Sequence, residues 1–89
     1  LIIPRRHVED YFDLYQPERN AIEQLMHQRR DSLMAEDKTI DGFNVGANEG
    51  QSAGQTVFHV HLHLIPRRTG DMDEPRGGVR GVIPSKRIY

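Results

Sequence analysis

Phe58-His59-Val60-His61-Leu62-His63-Leu64 is the stretch whose reading decides the fold. Side chains alternate across a strand, so the histidines share one face while Phe58, Val60, Leu62 and Leu64 share the other. The apolar face fixes the register, because a slip of one residue would bury three imidazoles. The pattern predicts a strand over Thr56 to Ile65, with its apolar face in the core beneath a helix. Pro66 is expected to end that strand, and Thr69-Gly70-Asp71 to turn the chain away.

The elements around this strand follow from periodicity and punctuation. Pro17 suits the first turn of a helix, where its missing N–H is no loss. From there to about Glu36, Ala21, Ile22, Leu25, Met26, Leu33 and Met34 recur at a helical period, with charge on the opposite face. Met26 and Met34 are assigned to packing. Asp41-Gly42 reads as a turn and Phe43 to Ala47 as a second strand. Asn48 to Gly54 is polar and contains two glycines, so it reads as a tight loop. Leu1-Ile2-Ile3-Pro4 looks like the end of another strand, and His7 to Leu14 like a short helical turn. The expected class is α+β, an antiparallel sheet with one long helix packed on it. Residues 1–89 form a single domain in this reading, with a core over 1–74 and an extended, irregular tail over 75–89.

The bulk properties narrow the function. A domain of 89 residues buries only about 60% of its unfolded surface, which is marginal without help. There is no cysteine, so neither disulfides nor thiolate ligands supply that help, and a homodimer is expected. The formal charge of -1 gives no basic surface for nucleic acid, and no apolar run has membrane-spanning length. Without a signal-peptide pattern, the cytoplasm is the default compartment. Leu1 lies inside an apolar run, so the chain reads as a piece of a longer product.

Three of the five histidines lie on one strand face. Neutral imidazole, with an unperturbed pKa of about 6.5, has a lone pair available for attack near neutral pH. A neighbouring imidazolium can supply a proton to a leaving group. Phosphate is the matching electrophile, since its developing charge suits imidazolium and backbone N–H donors. Ala53-Gly54-Gln55-Thr56 offers such donors just upstream, with Gly54 allowing close backbone approach. Metal binding is the rival. His59 and His63 would be about 13 Å apart along a straight strand, so the three could hardly share one ion. No carboxylate nearby is an obvious completing ligand, and no metal site is assigned.

His59-Val60-His61-Leu62-His63-Leu64-Ile65 resembles the signature of the histidine-triad family: His, apolar, His, apolar, His and two apolars. Gly54-Gln55-Thr56-Val57-Phe58 before it, and Ile65-Pro66-Arg67-Arg68-Thr69-Gly70-Asp71 after it, resemble the fragile-histidine-triad branch and bacterial diadenosine polyphosphate hydrolases. Leu1-Ile2-Ile3-Pro4-Arg5-Arg6-His7 resembles the strand before that family's long helix. The resemblance implies a nucleotide hydrolase or transferase acting on the α-phosphate of dinucleoside polyphosphates through a nucleotidyl-histidine intermediate. His61 would be the nucleophile, His59 would orient it, and His63 would contact the phosphates and assist the leaving group. Asn48 would lie near that leaving group, while Gly54, Gln55, Thr56 and Val57 would line the phosphates. It implies a nucleotide substrate, sheet-to-sheet dimers and no tightly bound cofactor, with a divalent cation accompanying the polyphosphate. Relatives carry further strands, a helix and a fourth histidine before the position of Leu1, so the N-terminal part of that fold is expected to be absent here.

Other readings stay open at this stage. The same chemistry would serve a nucleoside phosphoramidate hydrolase, and a site without turnover would be a non-catalytic nucleotide-binding module. Asn48 alone could be a turn residue, and Gly54 could merely end a loop. His7 and His27 are assigned to the surface. The tail Pro75-Arg76-Gly77-Gly78-Val79-Arg80-Gly81-Val82-Ile83-Pro84 resembles tails of bacterial members, with no chemical role assigned. It is basic, and is either solvated or in touch with polyphosphate or nucleic acid.

Overall fold

A computed structural model describes all 89 residues. One long helix, α1 (Gln16–Glu36), precedes two antiparallel strands, β1 (Ile40–Ala47) and β2 (Leu62–Arg68). The α+β class and the helix position agree with the sequence reading. No helix is long and apolar enough to cross a membrane.

Charged side chains fasten the ends of these elements. Arg6 donates from Nε and Nη2 to the Glu18 carboxylate at 3.1 and 2.8 Å, tying the N-terminal segment to the first turn of α1. Glu18 also accepts the Tyr15 N–H at 2.9 Å, so it satisfies a donor that the helix itself leaves free. The Arg6 hydrogen bonds hold the Glu18 carboxyl below its ordinary pKa, with Tyr15 adding to the effect. At the other end of α1, Asp37 accepts from Thr39 and from Arg68 of β2.

Six residues form the main hydrophobic cluster: Ile2, Val8, Leu14, Ile22, Val60 and Leu62. The helix contributes less than its pattern promised, since Ile22 is its only buried residue, Ala21 is exposed and Leu25 is 41% exposed. Met26 packs against the cluster as expected, and Met34 is half-buried.

The histidine segment departs from the expected strand of Thr56 to Ile65. Only Leu62 onward is strand, and it continues through Pro66 to Arg68. Ladder partners explain both differences. Ala47, the last residue of β1, pairs with Leu62, so β1 offers nothing further upstream. On the other edge, Ile2 and Leu62 exchange N–H···O bonds of 2.9 and 2.8 Å, and Val60 donates to the Val8 carbonyl at 2.7 Å. The expected strand at Leu1 to Pro4 is thus reduced to one bridge at Ile2. Beyond that bridge the outer edge of β2 is unpaired, and such an edge tolerates a proline. Val60 and Leu62 are buried as the alternation required, but Phe58 is 47% exposed and Leu64 half-buried.

Asp41-Gly42 is not a turn but part of β1. The register passes from Ile40↔Arg68 to Gly42↔Arg67, so Asp41 is an extra residue in the ladder. This irregularity lets the Asp41 carboxylate accept from the Thr69 hydroxyl. The turn at Thr69–Asp71 forms as expected, with Gly70 at φ +87°. The tail contains two short 3-10 turns, Gly78–Val82 and Pro84–Lys86, where an irregular course was expected.

Asp71 accepts from Arg67 Nε and Nη2 at 2.8 and 2.7 Å and from the Arg68 N–H at 3.0 Å. Arg67 first, and then the Arg68 amide, lower its pKa from 3.8 to about 2. The unfolded chain regains the ordinary value and binds protons first, so this contribution is present above 3.8 and lost as pH falls toward 2. The thermal midpoint, followed from about pH 5 downward, should fall less steeply in Asp71→Asn than in the parent. Parallel profiles would show that the pairing adds nothing.

Candidate active site

The histidine row begins where the ladder is thinnest, and backbone carbonyls orient its first two members. His59 Nε2 lies 2.9 Å from the Pro4 carbonyl oxygen, and His61 Nδ1 lies 3.0 Å from the His59 carbonyl oxygen. A carbonyl only accepts, so each of these ring nitrogens carries the proton. Neutral His61 therefore has its lone pair on Nε2, the atom facing away from that hydrogen bond. Its ring meets His63 with centroids 5.2 Å apart and planes at 65°.

His63 sits in β2 opposite Gly46, which presents no side chain to it, and a Cβ at Gly46 would meet nothing within 4 Å. His63 Nε2 is buried and has no hydrogen-bond partner within the chain. An unsatisfied buried polar atom costs free energy and commonly marks a group held for a ligand or for chemistry. All three triad rings are half-buried, so they are neither sealed in the core nor free on the surface.

The loop before the row is held by Gln55. Its Oε1 accepts the Gly50 N–H at 2.8 Å, and its Nε2 donates to Glu9 and Val57 carbonyls at 3.1 and 3.2 Å. Gln55 is 3% exposed. Both side-chain donors are used internally, so the Gln55 amide braces the loop. Gly54 adopts the left-handed region at φ +94°, where a side chain is strained. A Cβ there would stand 4.0 Å from the Asn48 amide nitrogen, so Asn48 and Gly54 are neighbours. Thr56 and Val57 are exposed beside this loop.

Asn48 and His63 line one open cleft of about 870 Å³, together with Asn44, Ser52, Ile65 and residues of the tail. The structure thus brings Asn48 toward His63, while His59 and His61 lie outside that cleft. His7, assigned to the surface by sequence, meets the His59 ring edge-on at 5.3 Å between centroids. Only the path of the chain beside Pro4 reveals this contact, because the two histidines are far apart in sequence. No three His, Cys, Asp or Glu side chains converge in the geometry a metal ion needs.

Gln55→Ala should lower stability by about 2 to 3 kcal/mol, as three hydrogen bonds at a buried site are lost together. Denaturant titration measures this. An unchanged midpoint would return Gln55 to a solvent-facing role.

The chain spans about half the length of the curated relatives it matches. An uncharacterized HIT-like protein of Mycobacterium tuberculosis is 41% identical over 71 residues, covering 80% of this chain and 49% of that protein. The bis(5'-adenosyl)-triphosphatase of Dictyostelium discoideum is 38% identical over 73 residues, 82% of this chain and 48% of that protein. The crystal structure of a HIT family protein from Bacillus anthracis superposes with a TM-score of 0.70 at 41% identity, over 76% of this chain and 48% of that one. The family model described as HIT domain matches residues 1–70, and this chain belongs to the histidine-triad family.

Proposed function

We propose that this chain carries a nucleotidyl hydrolase or transferase site, with His61 as the nucleophile. The observation that carries the reading is the Nδ1–H of His61 donating to the His59 carbonyl at 3.0 Å, which leaves the Nε2 lone pair free. That lone pair attacks the α-phosphorus of a nucleotide conjugate. A phosphorus–nitrogen bond forms, and the phosphorus–oxygen bond to the leaving phosphate chain breaks, with the oxygen keeping the electron pair. His63, in contact with His61, donates its proton to that oxygen. Water then attacks the same phosphorus and gives a proton back to His63, and His61 departs with its lone pair restored.

His59 acts as a positioning residue, through the carbonyl that fixes the His61 tautomer and through its own hydrogen bond to Pro4. Asn48 lies beside the leaving group, and Gly54 and Thr56 offer backbone N–H groups to the phosphates. Dinucleoside polyphosphates are the favoured substrates, supported by the resemblance to the bis(5'-adenosyl)-triphosphatase of Dictyostelium discoideum. A divalent cation would travel with the polyphosphate. A homodimer joined through sheet edges is supported by the unpaired outer edge of β1 and its exposed Val45. The cytoplasm is the proposed compartment.

Intact mass after brief incubation with diadenosine triphosphate, quenched without acid, tests the nucleophile. The parent should gain the mass of one adenosine monophosphate, and His61→Ala should gain nothing. An adduct on His61→Ala, or hydrolysis by it at the parent rate, would reassign the nucleophile.

A further inference from the structure

We infer that Val79, Val82 and Ile83 of the C-terminal tail form the apolar wall of a subsite for the leaving half of the substrate, and that this subsite takes a nucleoside. The inference rests on the nucleotidyl-transfer reading of His61. The tail lies beyond residues 1–70, which the family model matches.

The cleft that receives His63 combines polar and apolar groups. Asn44, Asn48, Ser52 and His63 supply its polar groups among Val45, Ala47, Ala53 and Ile65 of the strands and loop, and Met72, Val79, Val82 and Ile83 of the returning chain add an apolar lining. His63, which donates to the leaving oxygen in the proposed reaction, lines this space, whereas His59 and His61 do not. A group held there belongs to the part of the substrate beyond the bond that breaks. The unpartnered Nε2 of His63, a residue lining the cleft, is the polar atom without an internal role at this junction.

Size and chemistry then choose the occupant. About 870 Å³ is far more than a phosphate or small amine fills, and lies within the range of pockets for small organic ligands. Val79, Val82 and Ile83 remain 58%, 80% and 57% exposed, so nothing within the chain covers them. A purine offers flat apolar faces to such a wall, and its ribose and phosphates offer hydrogen-bonding groups to Asn48, Ser52 and His63. The wall is also held in place. Arg87 Nη1 donates to the Glu74 carbonyl at 3.0 Å, which ties the end of the tail to its start. A Cβ at Gly78 would stand 3.3 Å from the Asn44 amide nitrogen, so the tail lies close on β1.

Two readouts test the subsite. In Val79→Ser/Ile83→Ser, the ratio of kcat/KM for diadenosine triphosphate to that for adenosine phosphoramidate should fall about tenfold, through KM for the dinucleotide. Titration with adenosine diphosphate, followed by methyl NMR, should shift the Val79, Val82 and Ile83 signals in a saturable way. An unchanged ratio or unmoved methyls would overturn the subsite. Shifts of the same methyls on dilution alone would also overturn it, by showing that a second copy covers the wall. If neither substrate turns over while the methyls still respond to adenosine diphosphate, the nucleotidyl-transfer reading fails and the subsite stands.

Discussion

Burial of Val60 and Leu62 is the constraint on which the rest of the structure depends. Only nine of 89 residues are buried, so each apolar side chain in the cluster carries a large share of the stability. Filling such a position contributes about 1.5 to 3 kcal/mol. These two side chains bring the N-terminal segment, α1 and β2 together, and in doing so they hold the intervening His61 at the boundary of the cluster. The row is anchored by the residues between its members.

A second consequence is that backbone carbonyls, rather than carboxylates, orient the first two histidines. Pro4 and His59 carbonyl oxygens accept from His59 and His61. A carboxylate in that position would favour the protonated imidazolium through its charge, whereas a carbonyl dipole selects a tautomer with a much weaker pull. The arrangement suits the nucleophilic role proposed for His61, which calls for a free ring lone pair. It also links chemistry to folding, because the carbonyl that orients each ring is placed by the hydrogen bonds from Val60 and Leu62 to the N-terminal segment.

The charged residues at the far end of β2 act mechanically. Arg67 bridges Asp71 and Asn44, and Arg68 reaches Asp37 at the end of α1. Exposed pairs of this kind add little stability individually. Their geometry nevertheless fixes where β2 ends and aims the chain at Met72, from which the tail turns back over the sheet.

The sequence by itself determined the long helix beginning about Pro17, the second strand through Ala47, the burial of Val60 and Leu62 and the grouping of three histidines. Each of these follows from local periodicity, which depends only on neighbours along the chain. The family was legible for the same reason, since its signature is a short contiguous run. Tertiary structure decided where β2 begins, because a strand needs a partner and β1 ends opposite Leu62. It also decided that Gln55 braces a loop, that His7 lies on His59, and that the tail walls the cleft. Those three features join residues distant in sequence. Hydrogen bonds and packing act over a few ångströms of space, so no pattern along the chain records which distant groups the fold will bring within reach.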